Sequence, residues 1–183
     1  MKKDTIYQFV CFVTALGPDE FAPQWEKFAK RLKISKTDAP LVQQTAGSKN
    51  RFRYISTHEW SEQDIQFSFM TNKKVEHFPE HSVRVVQIGG YVPFQIKKKH
   101  NEDENDVKVM AFIGHNENEL DFYTQLPQAK HLNIFQAFYE NCTFAYIMEF
   151  FVSESDAAEL LQILKQRSGV EVGIYKECLV PQD

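Results

Sequence analysis

Five side chains able to move protons or bind a metal, His58, Glu59, His77, Glu80 and His81, lie near one another along this chain. Imidazole and carboxylate are donors that suit zinc or iron, so the i, i+4 pair His77 and His81 could form a metal site with His58 from a neighbouring strand. Pro79 stands between the paired histidines, and a proline there removes the helical geometry that would aim both rings at one point. The expectation is a solvated loop and no bound metal.

His58 has a second possible use as a general base, because strand alternation puts it on the same face as Tyr54 and Trp60. The competing reading is a core histidine bonded to backbone. Tyr54, Trp60, Phe67, Phe69 and Tyr91 could line an apolar pocket for a flat aromatic ligand. Aromatics at strand spacing also serve simply as core. His115, followed by Asn116, stands just after a strand where a loop can reach a cavity mouth, although Gly114-His115-Asn116-Glu117 also reads as a capping turn. No P-loop, GxGxxG, GxSxG, HExxH or paired CxxC is present, which disfavours ordinary nucleotide-dependent chemistry.

These residues must be positioned by regular elements. Phe21, Trp25, Phe28, Ala29 and Leu32 share one face of a helix that begins near Pro18-Asp19-Glu20, with Pro23 in its early turns. Residues 35–50 read as a loop, and Phe52 to Trp60 as a strand. Residues 62–72 are ambiguous between a helix and a turn followed by a strand, since Ile65, Phe67 and Phe69 alternate. Val83 to Ile96 reads as a long strand broken at Gly89-Gly90, where a bulge or close backbone approach is expected. A strand at 107–113 follows, then helical segments on either side of Pro127, with Leu132, Phe135, Phe138 and Tyr139 as an apolar helical face. A strand at 143–152, a helix at 154–167 carrying Ala157, Leu160, Leu161 and Leu164, and a strand at 170–180 complete the chain.

The two halves echo one another. Tyr54-Ile55 and Ser61-Glu62 with Asp64 recur as Tyr146-Ile147 and Ser153-Glu154 with Asp156, every identical pair separated by 92 positions (146 − 54, 156 − 64). Ser followed by acidic residues is an ordinary helix cap, but the strand-like runs before each cap match as well. A repeat of this length suggests two copies of a small unit rather than a solenoid. The polar run from Lys97 to Asp106 divides them, giving units at 1–96 and 107–183 joined by a charged linker at 97–106.

A chain of 183 residues with 43% hydrophobic and 14% aromatic content can bury a core, and a dispersed net charge of −4 offers no basic stripe for nucleic acid. Three cysteines without CxxC spacing fit reduced thiols, no apolar run reaches the ~20 residues of a bilayer span, and Asp4 and Gln8 interrupt a signal-like start. A cytoplasmic protein is expected.

Read as strand, helix, strand, helix, strand in each half, the chain is expected to be α+β, with two tandem ferredoxin-like units whose antiparallel sheets pack face to face and carry helices outside. In this outline, and in Glu59-Trp60-Ser61-Glu62-Gln63-Asp64, it resembles the dimeric α/β barrel superfamily, nearest the antibiotic-biosynthesis monooxygenase branch. The haem-degrading branch adds a helix histidine and a first-strand asparagine; Phe69 and Met70 stand near the first position and Gln8 in the first strand, so no cofactor is expected. The resemblance implies a protein that binds a small apolar or aromatic molecule through Tyr54, Trp60, Phe67, Tyr91 and His115, as a monomer or homodimer. The alternative is a cofactor-independent monooxygenase or isomerase using His58 as base.

Overall fold

Runs of β-branched and aromatic residues form eight strands, and a computed structural model describes them through residues 5–32, 41–61, 82–97, 107–115 and 120–178. In order, β1 is Thr5–Val13, α1 Pro18–Leu32, β2 Leu41–Gln44, β3 Tyr54–Ser61 and β4 Arg84–Gln95. Then come β5 at Val107–Ile113, α2 at Leu120–Thr124, a 3-10 turn at Pro127–His131, β6 at Leu132–Ala137, β7 at Tyr146–Val152, α3 at Glu154–Lys165 and β8 at Val170–Glu177. The strands close into one antiparallel barrel in the order β1-β3-β2-β8-β5-β7-β6-β4.

This closure corrects the expected fold class. The tandem ferredoxin-like reading with two sheets packed face to face allowed three strands per half; it missed β2 inside a supposed loop and took β6 for a helix. Those two strands are the ones that meet β8 and β4 in the strand order, so a sheet that would otherwise end in open edges closes on itself. β6 is a strand because Leu132 and Ile134 face one way and Asn133 and Phe135 the other, each opposite a residue of β7. Cys178 N–H donating to Leu41 O and Thr45 N–H donating to Ile174 O fasten the two ends of β2.

The chain divides into two compact units, one of residues 1–43, 51–88 and 177–183, the other of residues 44–50 and 89–176. In the first, α1 buries Phe21, Trp25, Phe28 and Ala29 against Val10, Phe12 and Tyr54. Phe21 stacks on Tyr54 with centroids 3.9 Å apart and planes 4° from parallel. Pro23 lies within α1 without ending it, the burial of this stripe outweighing one lost backbone donor. In the second, Ala157, Leu160, Leu161 and Leu164 of α3 cover Val109, Ala111, Met148 and Phe150. Ser153 caps α3, its Oγ accepting from Asp156 N–H at 3.2 Å. Among the described residues no helix is long and apolar enough to cross a membrane.

Gly89 and Gly90 do not break β4. Gly89 has φ +122°, and a Cβ there would lie 2.5 Å from Cys142 Sγ, so the position requires glycine both for its backbone and for the close approach of Cys142. The register shift of β4 falls instead between Pro93 and Gln95.

Candidate functional site

Strand alternation in the first unit places Tyr54, Ser56 and His58 on one face of β3, opposite Phe12, Val10 and Gln8 of β1. That face is the one α1 covers, since Tyr54 packs in the helix-side core and donates from its hydroxyl to Leu16 O at 3.0 Å. Burial pushes the Tyr54 phenol above its usual range. His58 is 5% exposed, Ser56 Oγ lies 3.1 Å from its Nε2, and burial lowers its pKa to about 4. At neutral pH the ring is uncharged. Trp60 continues β3 opposite Ile6. Phe67, Phe69, His77, Glu80 and His81 lie outside the described residues, as do residues 62–72 and 98–106. Among the described residues no cluster of three metal-binding side chains forms.

Tyr91 and His115 converge in the second unit, on the segment before β7. The Tyr91 hydroxyl donates to Phe144 O at 3.1 Å and lies 3.4 Å from Phe144 N–H. His115 Nε2 stands 2.9 Å from Cys142 O, and Cys142 Sγ donates to Gly90 O at 3.2 Å. Three ties therefore hold residues 142–144 against β4 and the end of β5.

The polar feature absent from the sequence reading lies on the other face of the β5–β7 sheet. Val107, Val109, Ala111 and Ile113 point to the α3 core, which leaves Lys108, Met110 and Phe112 on the inner, barrel-side face. Register brings Phe151 and Tyr175 beside Lys108, and Glu149 beside Met110, with Asn133 of β6 next to Glu149. Lys108 Nζ donates to Glu149 Oε1 at 3.0 Å, the two residues being 8% and 5% exposed. The ammonium also stands 5.2 Å from the centre of the Phe151 ring, within cation–π range. Asn133 Oδ1 accepts from Lys97 N–H at 3.1 Å. Tyr175 lies over Gly173, where a Cβ would come within 2.8 Å of its ring.

A readable signal existed. Val-Lys-Val-Met-Ala-Phe-Ile and Tyr-Ile-Met-Glu-Phe-Phe-Val each carry one charge in an otherwise apolar strand, and strands with both faces covered do not alternate. A lone charge inside such a run needs a partner, and each strand holds the other's.

No family model matches the chain, and no curated protein matches it. Among solved structures it is similar to chlorite dismutase from Candidatus Nitrospira defluvii. An arginine-to-alanine variant of that protein superposes with TM-score 0.56 at 6% identity, over 97% of this chain and 93% of that one. Its complex with imidazole gives 0.54 at 6% identity over 97% and 93%, and a tryptophan-to-phenylalanine variant with cyanide 0.52 at 8% over 97% and 93%. At such identities the likeness shows the fold alone, and the monooxygenase branch is not singled out.

Proposed function

We propose that this chain is a small-molecule binding protein of the dimeric α/β barrel kind, taking an apolar or aromatic ligand on the inner face of its second unit. The observation that carries the reading is the buried Lys108–Glu149 pair, with Phe151 and Tyr175 at the register positions beside Lys108. A buried ion pair gains little over well-packed apolar side chains, because desolvation offsets most of the attraction. Its presence in two otherwise apolar strands is therefore accounted for by binding rather than by stability. The structural neighbours were solved with imidazole and with cyanide, both small ligands, which supports the same reading. A fragment screen by thermal shift, followed through the Met110 methyl resonance, tests it: hits that raise Tm and move that resonance support it, and hits that bind without moving it refute the location.

The alternative, oxygenase or isomerase chemistry with His58 as base, gains nothing from the geometry. A ring with a pKa of about 4, bonded to Ser56 on the helix side of its sheet, is a weak proton acceptor at neutral pH. Among the described residues His58 is buried with Ser56, His115 is engaged with Cys142 O and His131 is exposed.

Internal duplication belongs to the same proposal. β3 and β7 begin at Tyr54 and Tyr146, and the strand order around the barrel repeats when each number is raised by four. Three buried cysteines outside any disulfide support a reducing, cytoplasmic setting.

A further inference from the structure

The strands that carry the buried ion pair pose a problem of alignment. Every residue of β5 is buried, as are Ile147 to Val152 of β7, so neither strand alternates between an apolar and a polar face. A slip of one residue in an antiparallel pair turns a whole strand over, and where one face is polar that alone forbids it. Here the slip exchanges Val107, Val109, Ala111 and Ile113 of β5 for Met110 and Phe112, or Met148, Phe150 and Val152 of β7 for Ile147 and Phe151. All of these are apolar. Their pattern alone leaves the register of the two strands open.

The two charges close it. In the observed register Lys108 faces Phe151 and Glu149 faces Met110, one diagonal step apart on the inner face, with Nζ and Oε1 3.0 Å from each other. A slip of one residue in either direction carries one of the two to the α3 side, where Leu160, Leu161 and Leu164 are apolar, and strands both as buried single charges. A slip of two residues in one sense sets Glu149 opposite Phe112 and parts the pair. The opposite slip keeps the pair but draws Phe144 up against Ile113. Phe144 is tied to the Tyr91 hydroxyl and Cys142 Sγ to Gly90 O, so that movement is blocked from β4. We infer that the Lys108–Glu149 pair sets the register of β5 with β7, disfavouring each slipped form that parts it at least about a hundredfold. This role goes beyond the binding proposed above and is exercised with or without a ligand. It concerns uniqueness of pairing, which is separate from stability.

The uncharged Lys108→Met/Glu149→Leu and the charge-exchanged Lys108→Glu/Glu149→Lys, studied as full chains without ligand, test it. In wild type, nuclear Overhauser contacts are expected between Val109 and Phe150 and between Ala111 and Met148, which stand opposite one another. In the uncharged variant at least about a tenth of the molecules should give a second set of β5 and β7 resonances, with the contacts of Val109 displaced by one residue to position 149 or Phe151. The exchanged variant should return to one set in the wild-type register, a recovery that a mere loss of packing would not show. A single native register in the uncharged variant overturns the inference, and so does a second register in the exchanged one. An uncharged variant that does not fold overturns it too, because strands apolar on both faces should then pair in some register without the charges. If the exchanged variant does not fold, the uncharged one decides alone. The binding role is read separately, with ligands present, and stands or falls on that measurement.

Discussion

His58 and the Lys108–Glu149 pair show how differently two buried polar groups affect the same protein. His58 titrates near 6.5 when unfolded and near 4 when folded, burial being the cause. A lowered folded pKa means that the unfolded chain binds the proton first as pH falls. Stability is therefore unaffected above pH 6.5, declines by about 1.4 kcal/mol per unit below it, and levels off near pH 4 after a loss of about 3 kcal/mol. Urea denaturation of wild type and His58→Gln across this window should show the slope shrinking in the variant by that amount; parallel curves would assign the acid sensitivity elsewhere. For the ion pair, Glu149→Ala strands a buried ammonium and should cost about 3–5 kcal/mol, whereas Lys108→Met/Glu149→Leu should fold with stability within about 2 kcal/mol of wild type or above it. A double variant as unstable as the single one would make the pair a structural necessity. The sequence disclosed the chemistry of His58 but not its surroundings. Of the ion pair it showed a lone charge in each of two apolar strands but not that the two meet, because Lys108 and Glu149 are 41 positions apart and come together only through the register of β5 with β7.

At the level of elements, periodic patterns were readable wherever one face is apolar and long. The stripes of α1 and α3 and the run of β5 stand out for that reason. β2 did not, since four residues, Leu41 to Gln44, are too few to show a period, and its flanks are rich in turn formers. β6 failed differently: Leu132, Phe135, Phe138 and Tyr139 satisfy helical spacing as well as Leu132 and Ile134 satisfy a strand, and only pairing with β7 decides. The glycine pair in β4 was readable as a close approach, though not what approaches. Gly89→Ala should cost at least about 2 kcal/mol, combining a positive φ with a collision against Cys142. In a double-mutant cycle by chemical denaturation, Cys142→Ala should recover the part of the steric cost due to Sγ at 2.5 Å and leave the backbone part and the contact with the Cβ of residue 142 at 2.9 Å; no recovery would mean the sulfur collision is relieved some other way.

For the molecule as a whole, closure depends on its two shortest contributions, β2 and β6. A strand flanked on both sides has its amides engaged, whereas an edge strand exchanges them freely. Hydrogen exchange read by mass spectrometry should find Val42, Gln43, Ile134 and Phe135 protected to a degree close to that of β3 and β7. Rapid exchange in either segment would contradict the closed order. The matching residues of the two halves were legible in the chain, but whether eight strands make one ring or two sheets depends on these two short segments, whose residues carry little signal of their own.

Cys11, Cys142 and Cys178 are all buried and stand outside any disulfide, and Cys142 is held by both its sulfur and its carbonyl. None can meet an alkylating reagent until its own neighbourhood opens. The native chain thus carries three built-in clocks of local breathing, each readable from the rate at which its thiol is modified, without any engineered probe.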